Sequence, residues 1–425
     1  MTTFDHHSPE FATGWRDLYA QMRTECPVAH SSAHGGFYAV TRYEDVRTVL
    51  LDSKTFVCGR DLEFPGLEGP VQGGVAIPSI PFRMGMMEMD GEPAHRYRRM
   101  ILPWLAARSV EEQQPRLDEL ATWLLDRATP KGEIDIVDDL ANPLPAIVTL
   151  DLLGLPLERW QTYATVLHSA AYLEQGSAKA LVALRAELAE TIEERRAEVT
   201  TPTCAVDALL LAEVDGRRLT TDEVTELVYM LLNGGVDTST AVIAHLFLRL
   251  DEHPAERQEL LAHPERIPAY IDDIVRWMTP GTGVARTVAV ETELHGVRLH
   301  PGDRLFLALG GANNDPEVFP DPDLVTTEPR EVPNLAFGTG AHRCVGASLA
   351  GAEIATLARH VLDRMPDYRI DRAAVVAYPT IPAVAGYIAM PATFAPSPTV
   401  GSVDPGSLPP AREFGAAARL ADTVR

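Results

Sequence analysis

LAFGTGAHRCVGASLA, residues 335–350, sets three glycines, one histidine and one cysteine just ahead of an apolar helical run. Gly338 and Gly340 permit positive φ or a close approach of backbone to a flat partner, each at an entropic cost of roughly 0.5–1 kcal/mol. Gly346 removes a side chain two positions past Cys344. The loop clears space around one sulfur. Because the apolar period resumes at Val345, Cys344 is expected at a helix N-terminus, where the dipole and unpaired N–H groups favour an anionic thiolate. A thiolate so placed suits a metal, although a lone cysteine cannot build a structural zinc site.

The remaining cysteines, Cys26, Cys58 and Cys204, are widely separated and form no C-x-x-C pair, so no disulfide framework or zinc ribbon is expected in the 425 residues. Thirty-seven basic against sixty acidic residues leave a formal charge of −23, which repels nucleic acid and anionic membrane. No uninterrupted apolar run approaches the roughly 18 residues of a bilayer-spanning helix, and MTTFDHHSPEF lacks the basic-then-apolar order of a secretion signal. A soluble, cytoplasmic monomer is the expectation.

Helical periodicity predominates over 15–25, 43–51, 92–107, 111–127, 181–198, 221–250, 267–278 and 345–362. Short hairpins are expected at FYAVT near Phe37, at VAVETEL with VRLHPGDRLFLAL over 288–309, and at YIAMPATF near the C-terminus. The pattern predicts a mainly α fold with small β-sheets, one domain over 1–396 and a disordered Pro/Gly/Ala-rich tail over 397–425. The aperiodic stretch 56–89 reads as a lid, with Phe82, Met84, Met86 and Met87 forming an adaptable apolar surface.

MLLNGGVDTSTAVIAHLFLRL, residues 230–250, carries Gly234 and Gly235 inside a helix opened by the capping pattern Thr220-x-x-Glu223. Each glycine costs about 1 kcal/mol relative to alanine there. Two readings are open. Gly234 and Thr238 share a helix face, so a bulky planar group could press on bare backbone beside the hydroxyl; alternatively, a helix crossing demands small residues. Thr238 could also bond the carbonyl of residue 234.

One cysteine can serve as the single axial ligand of a haem iron. Phe337 to Gly346, F-G-T-G-A-H-R-C-V-G, resembles the haem-binding signature F-G-x-G-x-H-x-C-x-G of the soluble bacterial cytochrome P450 family. The resemblance implies that family's triangular helical prism with small β-sheets, haem lying between the long central helix and the cysteine-ligand helix. It implies haem b (iron protoporphyrin IX) as cofactor, Cys344 as iron ligand, Phe337 and Gly338 beside the sulfur, and His342 at a propionate. G-G-V-D-T resembles the oxygen-activating segment, with Gly234 against the haem and Asp237 and Thr238 as an acid–alcohol pair delivering protons. His95 and Arg99 match an H-x-x-x-R propionate element, and Arg286 stands where another propionate arginine is common. Met230, Asn233, Gly234, Thr282, Gly283, Val284, and Ala383 or Val384 match pocket-lining positions, and the small Gly281 and Gly283 suggest a roomy site.

Asp273-Ile-Val-Arg276 places an ion pair at i,i+3 and resembles the family's Glu-x-x-Arg, shortened by one methylene. Asn314, Leu324 and Asn334 replace the family's usual arginine, arginine and histidine, so the network beneath the haem is expected to be rebuilt, with Arg330 as a partner. Gly351 replaces an arginine while Glu353 is retained. Arg96, Arg98 and Arg343 offer a positive patch for an acidic ferredoxin, which with a ferredoxin reductase would supply electrons to a chain lacking a flavin, nicotinamide or iron–sulfur module. The implied function is hydroxylation or epoxidation of an apolar small molecule in secondary metabolism. Peroxide-driven oxygenation, oxidative coupling, and a haem carrier or gas sensor are the alternatives.

Overall fold

The Thr220 hydroxyl accepts from the Glu223 amide at 3.2 Å, and the Glu223 carboxylate accepts from the Thr220 amide at 2.7 Å, so the capping box is formed at both ends. It opens a 32-residue helix, Thr221–Glu252. By length and composition that helix could cross a membrane, but 78% of its apolar window is buried inside the fold, as a core helix requires. The computed structural model describes residues 4–401. The expected tail disorder beyond Gly401 therefore lies outside the described residues, while the Val400 and Gly401 amides donate to the Asp126 carboxylate at 3.1 Å each.

Contacts gather the chain into two compact units. The first takes, among the described residues, 4–98, 273–344 and 379–385. Its five-stranded sheet runs in the order Val28–Ser31, Phe37–Val40, Arg304–Leu307, Val284–Val288, Phe56–Val57. Phe37–Val40 pairs parallel with Arg304–Leu307, whereas the other pairs are antiparallel. Val40, Tyr43, Val46, Leu50, Leu305 and Leu307 share a buried core beneath it.

The second unit takes, among the described residues, 99–272, 345–378 and 386–401. Around Thr221–Glu252 pack Pro143–Leu153, Trp160–Ala171, Ser177–Glu198 and Ala347–Arg364, the last also lying on Gln114–Ala128. Helices here that escape sequence periodicity include Pro143–Leu153, Trp160–Ala171, Ala205–Leu211 and Pro254–Ala262. Every residue of Pro143–Leu153 is buried, so no polar face marks its period.

Two expectations are corrected. YIAMPATF is not a hairpin: Tyr387–Ala389 pairs with Val376–Ala377, while Pro391–Thr393 lies between Arg369–Ile370 and Glu133–Asp135. The 56–89 stretch is not a loose apolar surface, because Met84 and Met86 are buried. The buried Glu88 organises it, accepting from the Val75 and Met84 amides at 3.2 and 3.0 Å and facing Arg60 at 3.5 Å.

Candidate active site

In the first unit, Gly338 and Gly340 both adopt left-handed φ, +64° and +70°. A side chain at Gly340 would stand 2.9 Å from the Leu50 carbonyl, so the loop needs glycine there for packing as well as for φ. The turn is closed by the Cys344 amide donating to the Phe337 carbonyl at 2.8 Å. Cys344 is exposed, against the strong tendency of cysteine to be buried, and Phe337 is half-buried. The helix Ala347–Arg364 begins three residues later, with Gly346 as its N-cap. No disulfide forms among the described residues.

Residues expected to hold the haem propionates have contrasting surroundings. Arg286 is 4% exposed, yet its one hydrogen bond among the described residues goes to the Ala285 carbonyl at 2.8 Å, and no carboxylate answers its charge. A buried, unneutralised guanidinium demands an anion, which a propionate supplies. His95 is exposed on Gly91–Leu105 and has no hydrogen bond among the described residues; Arg99 follows four residues on and is also exposed. His342 already faces a carboxylate of the chain, Asp90, at 3.8 Å. Burial alone would raise the Asp90 carboxyl, but His342 and the Cys58 and Gly59 amides hold it below its ordinary value. Cys58 closes this group; burial pushes its thiol up to about 11, so it is protonated at neutral pH. An exposed thiol on a glycine turn and a buried arginine without an anion fit a haem with a thiolate ligand.

In the second unit the core helix separates the two glycine readings. A methyl at Gly235 would stand 2.5 Å from the Thr149 hydroxyl, whereas one at Gly234 would meet nothing within 4 Å. Gly235 is therefore the helix-crossing residue. Gly234 is exposed, with Asn233 and Thr238 half-buried beside it, in an otherwise buried run. Gly235→Ala should lower stability by about 1–3 kcal/mol through overpacking, while Gly234→Ala should leave it unchanged or raise it by up to about 1 kcal/mol. Denaturant midpoints of the two variants measure this, and the reverse order would refute the assignment.

Thr238 donates its hydroxyl to the Gly234 carbonyl at 2.8 Å. Asp237 turns elsewhere: its carboxylate lies 2.5 Å from Nδ1 of His168, a buried residue of Trp160–Ala171. Successive residues on a helix diverge by about 100°, so the acid and the alcohol occupy different faces. His168 was not identifiable from sequence, because nothing local ties it to Asp237. It also lines a surface groove of about 630 Å³ with Asp138, Tyr172 and Tyr378. Glu353, on Ala347–Arg364, is buried and accepts from Ser239; burial pushes its carboxyl up to about 8.

Among the expected pocket residues, Met230 is buried on the core helix. In the first unit the chain after Met278 runs beside 383–385: the Thr282 amide donates to the Ala383 carbonyl at 3.1 Å, and Gly281 bridges Val384. Thr282 is buried with its hydroxyl unpartnered among the described residues. Gly283 does not signal a roomy site, since a Cβ there would fall 2.3 Å from Phe306; only Gly281 has open space. Val284 packs against the first unit's core.

Asp273 and Arg276 are 2% and 1% exposed and directly paired. Arg276 also donates to the carbonyls of Asn313, Pro322 and Leu324 at 3.1, 3.0 and 2.9 Å. Arg330 makes a fork onto Asp273 at 2.8 and 2.9 Å and reaches the Leu324 carbonyl at 2.7 Å. Arg16, clasped between Trp15 and Trp277, donates to Asn314 at 3.1 Å, bringing an arginine to that position from the N-terminal helix. Sequence spacing could not reveal this partner.

A family model described as Cytochrome P450 matches residues 160–365. The chain is 33% identical to Cytochrome P450 107B1 of Saccharopolyspora erythraea, covering 85% of this chain and 90% of that protein. It is 31% identical to mycinamicin IV hydroxylase/epoxidase of Micromonospora griseorubida, covering 83% and 88%. A solved structure of a mutant of P450 EryK in complex with erythromycin B superposes with a TM-score of 0.80 at 28% identity, covering 93% of this chain and all of that one.

Proposed function

Because this chain belongs to the cytochrome P450 family, we propose that Cys344 supplies the thiolate for its haem b and that it hydroxylates or epoxidises an apolar small molecule of secondary metabolism. It is an oxidoreductase, a monooxygenase, with the family's fold. The substrate class is supported by similarity to a hydroxylase/epoxidase of mycinamicin IV and to a P450 solved with erythromycin B. The observation that carries the reading is the exposed Cys344 on its doubly left-handed glycine turn.

Arg286 and His95, with Arg99 and His342, would hold the haem propionates. When bound, the haem would supply the iron chemistry for reducing dioxygen, with one oxygen atom for the substrate and one for water. The balance for hydroxylation is RH + O2 + 2e− + 2H+ → ROH + H2O, so the chain must deliver two protons and exclude stray water. Thr238 presents a hydroxyl on the exposed strip of the core helix and is the relay. Asp237 replenishes it by turning between His168, where it now rests, and the Thr238 side. The His168 groove is the proton entry. Electrons come from a ferredoxin and its reductase, docking near exposed Arg343 and half-buried Arg98, which lies close enough to Cys344 to feel its charge.

Thr238→Ala should leave haem content intact while product formed per reductant consumed falls by on the order of 10-fold and peroxide rises. His168→Phe should slow turnover by about 10-fold without the rise in peroxide. Wild-type product yield in Thr238→Ala would remove the hydroxyl from the mechanism.

A further inference from the structure

His6, His7 and His34, in the first unit, take no part in oxygenation, yet each offers a ring nitrogen within 4.8 Å of those of the other two. Their ring centroids are 4.4, 4.5 and 5.5 Å apart. His6 is 1% exposed among the rings of Phe4, Phe37 and Phe306, and its Nδ1 has no hydrogen-bond partner among the described residues. A buried nitrogen left unsatisfied is uncommon and calls for a ligand.

The other two rings are each held through Nε2. Nε2 of His7 lies 3.1 Å from the Ile77 carbonyl, which can only accept, so Nε2 carries the proton and Nδ1 the lone pair. Nε2 of His34 lies 2.8 Å from the Asp5 carboxylate, with the same result. A carboxylate on one imidazole and a backbone carbonyl on another is the outer support that metal-ligating histidines ordinarily have. His34 is also held in the left-handed region, φ +50°, in the turn between Val28–Ser31 and Phe37–Val40. A non-glycine residue in that conformation is uncommon and invites a functional account.

We propose that His6, His7 and His34 form a binding site for a divalent transition-metal ion, with Zn2+ as the occupant, three imidazoles as ligands and Asp5 as the positioning carboxylate. Three neutral nitrogens exclude Mg2+ and Ca2+, which take oxygen ligands, and suit Zn2+ with a water in the fourth position. Coordination at about 2.0–2.1 Å requires the nitrogens to close by roughly 1 Å, a movement open to the exposed His34 turn. The ion would fasten the N-terminal segment Phe4–His7 to that turn.

The test is equilibrium dialysis of untagged, haem-loaded protein against Zn2+, with bound metal measured by atomic emission. Wild type should retain one Zn2+ per chain with micromolar or tighter affinity, and Tm should rise by roughly 3–5 °C at zinc about 100-fold above Kd. His34→Gln and His7→Gln, verified as folded by their haem spectra, should each lose the ion. Asp5→Asn should weaken binding about 10-fold. No zinc retained by wild type, or equal retention by both histidine variants, overturns the proposal.

Discussion

Cys344→Ser should fold and lose the carbon-monoxide spectrum diagnostic of sulfur coordination, with oxygenated product falling to background. Sulfur donates charge to iron in a way that hydroxyl oxygen does not, and this donation favours cleavage of the O–O bond. Burial gives no other reason for a large stability change, because Cys344 is exposed and its turn is held by a backbone hydrogen bond that serine preserves. The measurement is the reduced carbon-monoxide difference spectrum beside a circular dichroism melt. A surviving sulfur-type spectrum in that variant would reject the ligand assignment together with everything proposed for the haem.

Arg276→Ala carries the largest expected loss of stability, about 3–5 kcal/mol, because it strips one member from a buried charged network. The removed guanidinium serves Asp273 and three backbone carbonyls. Arg330 still holds Asp273, which places the outcome at the lower end of that range. The purified variant is expected to be largely haem-free, read from its haem-to-protein absorbance ratio and its urea midpoint. Wild-type values for both would count against the network's role. Burial alone would raise the Asp273 carboxyl, but Arg330, Arg276 and the Thr326 amide hold it below the usual value. Its stabilising contribution is therefore fully present above about pH 4, the unfolded carboxylate value, and is lost as pH falls through the lower folded value.

What could be read from sequence were features whose cause is local. The glycines of the cysteine turn, the Thr220–Glu223 capping box and the Asp273–Arg276 spacing each follow from a few adjacent residues, and the structure forms them. Features decided by distant partners were not readable. Which of Gly234 and Gly235 serves a helix crossing is decided by Thr149 standing against Gly235 alone. His168 meets Asp237 through helix packing, and Arg16 reaches Asn314 from the far end of the first unit's chain. YIAMPATF has strand composition, but its partners are remote segments that composition does not name.

Glu353 makes the fold less stable as pH rises. With its carboxyl near 8 in the fold and 4.5 as the ordinary value, the native state keeps a proton that the unfolded chain has released across that interval. Stability must therefore drain away as pH climbs from about 4.5 to 8, opposite in sign to the contribution of Asp273. The two carboxyls thus pull in opposite directions with pH, and Glu353→Gln should reduce the loss of stability between about pH 4.5 and 8.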